Sequence, residues 1–120
     1  MAAGFPILAE ENEEGHLPVP DRYQGIQGVF WLRVRGDSMI NDGIHNGDLV
    51  LVNPVRFVEQ GALAVIMVED EATVKRFYRY GDTVKLVPAN ESFKAMEYFG
   101  SQLEDIRVVG KVAAVFRYVT

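Results

Sequence analysis

The sequence predicts a mainly β fold, a compact assembly of short-stranded sheets. Glycine punctuates the chain at Gly25, Gly28, Gly36, Gly43, Gly47, Gly61, Gly81 and Gly110, and prolines add further breaks. The runs between them are strand-sized and rich in Val, Ile, Phe and Tyr. No segment of about 12 or more residues carries clean helical periodicity.

Taken in order, residues 10–21 are acidic and proline-bearing and read as an extended linker or loop. Residues 29–34, "VFWLRV", form the first expected strand. The stretch 34–52, "VRGDSMINDGIHNGDLVLV", carries two glycine turns. It predicts a short helical turn at residues 38–42 with Asp37 as its cap, then a strand at 49–52. Strands at 62–68 and 73–80 follow, and "YGDT" at residues 80–83 predicts a tight hairpin turn into a strand at 83–87. A last strand is expected at 111–119, and there is no internal repeat.

A chain of 120 residues fits one domain that buries a core without staples. Hydrophobic residues are 48% and charged residues 24%, an ordinary globular composition rather than a disordered one. The absence of cysteine excludes disulfides and thiolate metal sites and fits a cytoplasmic setting. No apolar run approaches the roughly 18 residues of a membrane span. The opening residues lack the basic region of a signal peptide. A net charge of −5 argues against nucleic-acid binding by this stretch alone, because phosphate contacts need a basic face. The densest basic run, Lys75-Arg76-Phe77-Tyr78-Arg79, reads as a strand with alternating faces.

No cofactor and no metal is expected. Setting Gly43 or Gly47 at the glycine position of a calcium loop puts Ile40 or Ile44 where an oxygen ligand is required. The two histidines, His16 and His45, make a poor zinc set and read as surface-loop residues. Ser38 lies in a "GDS" turn, and a Ser-His-Asp arrangement would need the nearby His45 to fold back onto it. The other available bases are Lys75, Lys85, Lys94 and Lys111. On a strand, Lys75 shares its face with Thr73 and Phe77, while Val74, Arg76 and Tyr78 face the other way. Neither face is cleanly apolar. From the pattern alone, a solvated strand lysine and an ordinary turn serine stay open.

Five stretches together carry a resemblance: "RVRGDSMINDGIHNGDLVLV" (33–52), "ATVKRF" (72–77), "LVPANESF" (86–93), "VVGKVAAVFR" (108–117) and the opening "AAGFPILAEENEEG" (2–15). They resemble the self-cleaving C-terminal domain of the LexA repressor family. That family sits in a wider class of Ser-Lys peptidases with UmuD-like proteins, phage repressors and signal peptidases. The resemblance implies a LexA/signal-peptidase-like fold and an autoproteolytic serine peptidase of the SOS response to DNA damage. Ser38 matches the nucleophile, Lys75 its general base, and Ala3-Gly4 the scissile bond. The backbone N–H groups of Asp37 and Ser38 match the oxyanion donors. Residues 1–15 match the cleavage-site segment and linker, and 16–120 the peptidase and dimerisation domain.

The resemblance also implies partners. These are a homodimer through the C-terminal strand at 111–120 and the RecA–single-stranded DNA filament as co-protease. Operator DNA would be held only through an N-terminal domain absent from this stretch, and no membrane partner is implied. Ala3 rather than cysteine before Gly4 favours a LexA-like over a UmuD-like assignment. Two alternatives stand beside it: a UmuD-like self-cleaving polymerase subunit and a dimerisation module that no longer cuts.

The chemistry these residues would perform makes a demand of its own. A serine hydroxyl needs a base, and lysine is one only when neutral. With a pKa near 10.4, fewer than about one lysine in a thousand is neutral at pH 7. Burial lowers that pKa because it disfavours the charged form. Lys75 is therefore expected to be buried, with Phe77 on its face.

Overall fold

The short β-rich runs form eight strands, β1 (Pro6–Ile7), β2 (Phe30–Arg33), β3 (Leu49–Asn53), β4 (Ala62–Val68), β5 (Glu71–Tyr80), β6 (Thr83–Val87), β7 (Met96–Phe99) and β8 (Ile106–Phe116). The structure is a computed structural model that describes the backbone of residues 6–7 and the whole of residues 17–119. Among the described residues all eight strands join one antiparallel sheet in the order β1-β2-β3-β8-β4-β5-β6-β7. The mainly β class read from the sequence is the class observed.

Both faces are covered over β3 and the middle of β4 and β5, which explains why β3 and β4 are continuously apolar rather than alternating. In β2 and β3, Leu32, Val50 and Val52 enter one core with Met39 and Ile44 from the 34–48 loop. Their neighbours Trp31, Leu49 and Leu51 enter a second core, covered by Leu17, Val19 and Tyr23. A third cluster gathers Ala64, Ile66, Phe77, Val84 and Leu86 across β4, β5 and β6. Complete burial of a side chain such as Leu32 or Ile66 stabilises by roughly 1.5–3 kcal/mol.

Several expectations need correction. β8 begins at Ile106, not 111, and ends at Phe116, not 119. Gly110 reads as a break in the sequence, yet the strand runs through it. The register against β4 slips between Val65 and Ile66, and against β3 between Leu51 and Val52, so the strand bends rather than stops. β7 was not anticipated; it is a short edge strand on β6 with only alternate residues half-buried. The turn after Ser38 is a single 3-10 turn, Ile40–Asp42, preceded by Met39 and closed by Gly43 at φ 79°. Asp37 does not cap it through its side chain, which instead accepts from the Asn46 N–H at 3.2 Å. The "YGDT" hairpin forms as expected, with Tyr80 opposite Thr83.

Gly110 is a point of close approach. A Cβ there would lie 2.5 Å from the Asn53 carbonyl oxygen and 2.7 Å from Val52 Cγ1. Backbone cannot yield as a flexible side chain can, so overpacking costs about 1–3 kcal/mol or more. Gly110→Val is expected to lower the melting temperature by on the order of 10 °C in a thermal scan. A melting temperature within a degree or two of the parent would refute this reading of the crossing.

Candidate active site

Ser38 and Lys75 reach each other from two separate elements. Leaving β2, the chain forms a loop over residues 34–48 that closes on itself. Gly47 N–H donates to the Val34 carbonyl and Val34 N–H to the Asp48 carbonyl, both at 2.8 Å, and Gly36 N–H donates to Asn46 Oδ1 at 2.7 Å. Met39 and Ile44 anchor this loop in the core at 2% and 0% exposure. Ser38 stands immediately before Met39 and is itself buried.

Lys75 comes from the middle of β5. It stands opposite Ala64 in register, with Thr73 opposite Ile66 and Phe77 opposite Ala62. Paired residues of an antiparallel ladder share a face, so the lysine rises among small and apolar neighbours. Its exposure is 4%, that of Thr73 2% and that of Phe77 7%, and the burial expected of it is met. Lys75 Nζ lies 3.0 Å from Ser38 Oγ and 2.8 Å from Thr73 Oγ1. Both partners are neutral hydroxyls, and nothing in that pair favours the ammonium as a carboxylate would. Burial alone pushes the amine from its ordinary 10.5 down to about 8.

The serine turn is held from the far side by residues just after β6. The Ala89 N–H donates to the Ser38 carbonyl at 2.8 Å, and the Asn41 N–H donates back to the Ala89 carbonyl at 2.8 Å. Asn90 Nδ2 donates to the Asp37 carbonyl at 2.8 Å. A third tie joins the turn to β5, where Arg76 Nε contacts Asp42 Oδ2 at 3.1 Å and Arg76 Nη1 donates to the Gly61 carbonyl. A fourth closes the loop. Buried Asp48 accepts from Arg117 Nε and Nη2 at 2.8 and 2.7 Å and from the His45 N–H at 2.7 Å. Those donors hold its carboxyl below the usual range even though burial alone would raise it.

Of the residues singled out from the sequence, the structure brings Ser38 and Lys75 into contact and places Asp37 at the start of the serine turn. His45 is exposed, and its backbone rather than its ring serves the loop. Ala3, Gly4 and His16 lie outside the described residues. Thr73, Asn90, Asp48 and Arg117 were not singled out as site residues. Asn90 had a readable signal, an asparagine two residues before Ser92, whose N–H it accepts at 2.9 Å. Among the described residues no helix is long and apolar enough to cross a membrane.

A serine hydroxyl in contact with a desolvated lysine amine, on an antiparallel β scaffold, defines a β protein built around a buried Ser-Lys pair. The chain belongs to the Peptidase S24-like family, whose profile matches residues 1–113. It is similar to the LexA repressor of Moorella thermoacetica, at 43% identity over 118 residues, covering 98% of this chain and 55% of that protein. It is likewise similar to the LexA repressors of Exiguobacterium sibiricum (45% identity, 99% of this chain, 56% of that one) and Myxococcus xanthus (39%, 98% and 54%). The chain thus spans a little over half the length of the curated relatives it matches.

Proposed function

We propose that this chain is the self-cleaving C-terminal domain of a LexA-type SOS repressor, with Ser38 as nucleophile and Lys75 as general base. The observation that carries the reading is the 3.0 Å contact between Ser38 Oγ and a lysine whose pKa is held near 8 by burial. About one tenth of such a lysine is neutral at pH 7. The neutral amine takes the Ser38 proton as Oγ bonds to the Ala3 carbonyl carbon. The carbonyl oxygen becomes an oxyanion facing the backbone N–H groups of Asp37 and Ser38. Collapse breaks the Ala3-Gly4 bond, and Lys75 returns its proton to the departing Gly4 amine. Water then hydrolyses the Ser38 ester by the same base.

The strand β1 supports cleavage in cis. Pro6 pairs with Leu32 and Ile7 with Trp31, antiparallel, so the N-terminal end of β1 faces the end of β2 from which the Ser38 loop leaves. A bond tethered a few residues away meets the nucleophile at high effective concentration. The 1–15 segment is then the cleavage-site segment and 16–120 the peptidase and dimerisation domain. A partner that favours the docked segment accelerates the reaction by population shift, the role assigned here to the RecA–single-stranded DNA filament. Operator DNA is the business of the part of the longer relatives that this chain does not span, and the setting is cytoplasmic.

Dimerisation is assigned to β8, with a refinement. β8 lies between β3 and β4, but β4 pairs with it only as far as Lys111. From Val112 to Phe116 the strand pairs with β3 on one edge, and no described strand pairs on the other. Val115, Tyr118 and Val119 are 41%, 71% and 86% exposed beside it. An unpaired, apolar edge is a template for a second copy.

The test is intact mass after incubation across pH 6–10, with Ser38→Ala in parallel. Loss of Met1–Ala3 is expected only with Ser38 present, rising about tenfold from pH 7 to a plateau above pH 9, with a midpoint near 8. A rate still climbing at pH 10 without a plateau would mean a solvated lysine, and loss of mass in Ser38→Ala would remove the serine from the reaction.

A further inference from the structure

We infer that Asn90 is the positioning residue of the oxyanion site: its side-chain amide holds the Asp37–Ser38 peptide so that the Ser38 N–H points at the developing negative charge. This rests on the self-cleavage reading above and adds a residue to it. A peptide unit is planar, and when trans its C=O and N–H point in opposite directions. No cis peptide occurs among the described residues, so fixing the Asp37 carbonyl fixes the Ser38 N–H. Asn90 Nδ2 reaches that carbonyl at 2.8 Å from one side, which turns the Ser38 N–H to the opposite side.

The asparagine can do this because it is itself fixed. Its Oδ1 accepts from the Ser92 N–H at 2.9 Å, and its carbonyl accepts from the Phe93 N–H at 3.1 Å, so the 90–93 turn locks the side chain. The Ser92 bond also decides which end of the amide is the oxygen, leaving the NH2 for Asp37. Next to it, the Ala89 N–H fixes the following peptide through the Ser38 carbonyl. Two successive peptides around the serine are thus held by two successive residues of another segment. The turn's own bond to the Asp37 carbonyl, from Ile40 N–H at 3.2 Å, is the longer of the two it accepts.

Asn90→Ser is the separating variant. A serine hydroxyl can still accept from the Ser92 N–H in a local turn, but it is too short to donate to Asp37. In the intact-mass assay the plateau rate above pH 9 is expected to fall about 10- to 100-fold, since an oxyanion donor is worth of order 10²–10³ when removed and less when misdirected. The pH midpoint is expected to stay where the parent's is, because Lys75 is untouched. Asn90→Asp keeps the size and the Ser92 bond, but it exchanges the donor for a carboxylate and so also adds a negative charge. Read on its plateau alone, it is expected to show the same loss, which covers the case that the serine variant folds poorly. A plateau within twofold of the parent, with only the melting temperature changed, overturns the proposal, as does a moved midpoint with an unchanged plateau. A parent chain that loses no mass at any pH removes the self-cleavage reading itself, an outcome distinct from both.

Discussion

Lys75→Met is expected to stop cleavage and, at pH 7, to make the domain more stable. On the proposed mechanism, losing Lys75 slows self-cleavage by about 10²- to 10⁴-fold, the range a general base contributes. The stability effect follows from the direction of the lysine's shift. Its folded pKa, about 8, lies below its ordinary 10.5, so the folded state binds fewer protons between those values. The parent is therefore most relieved of the penalty above pH 10.5 and carries it in full below pH 8, where it amounts to about 3 kcal/mol. Methionine removes the penalty and also the two hydrogen bonds to Ser38 and Thr73, each worth about 1 kcal/mol. The variant should exceed the parent by on the order of 1 kcal/mol at pH 7 and fall behind it by pH 10.5. Denaturant melts at the two pH values measure this. A difference that does not change sign would mean that Lys75 is not desolvated as described.

That trade explains why the site was only half legible in the sequence. The alternation of β5 places Thr73, Lys75 and Phe77 on one face, and that much is read correctly from period two. The burial of Lys75 is expected only from what a lysine base requires, not from the pattern, because Thr73 and Lys75 make the face look wet. What dries it is the register with Ala64 on β4 and the serine loop laid over it, both long-range. The serine itself was visible as a motif in a glycine-bounded loop. The residues that hold its backbone, Ala89 and Asn90, lie some fifty positions away, and only the local Asn90–Ser92 turn marks them. The strands were legible where apolar runs were bounded by turns. They failed at β8, where Gly110 looks like a break but admits the close passage of Asn53, and at β7, whose single half-buried face is too short to declare itself.

Arg117→Met is expected to be the most damaging single change to the serine loop outside its core. Asp48 is 2% exposed, and Arg117 supplies two of its three hydrogen bonds. Removing the half-exposed arginine strands the buried Asp48 carboxylate without its counter-charge, which is far worse than lacking both groups. The melting temperature at pH 7 is expected to drop by on the order of 10 °C. With Arg117 present, Asp48's folded pKa lies below its ordinary 3.8, so the pair's contribution is full above that value and is lost as pH falls through the folded pKa. Without Arg117, burial is left to raise the folded pKa, so the deficit should vanish only below the parent's lowered folded pKa, already be present near pH 4, and grow as pH rises. Adding Asp48→Asn to the variant removes the stranded charge and should return most of the loss at pH 7. The consequence reaches the chemistry, because Arg117 Nη2 also donates to the Gly43 carbonyl at 2.6 Å, at the close of the 3-10 turn that follows Ser38. The residue thus joins the end of the strand proposed for the dimer to the loop that carries Ser38. Cleavage in Arg117→Met should slow on its plateau even at temperatures where the domain stays folded. An unaltered plateau would confine Arg117 to stability alone.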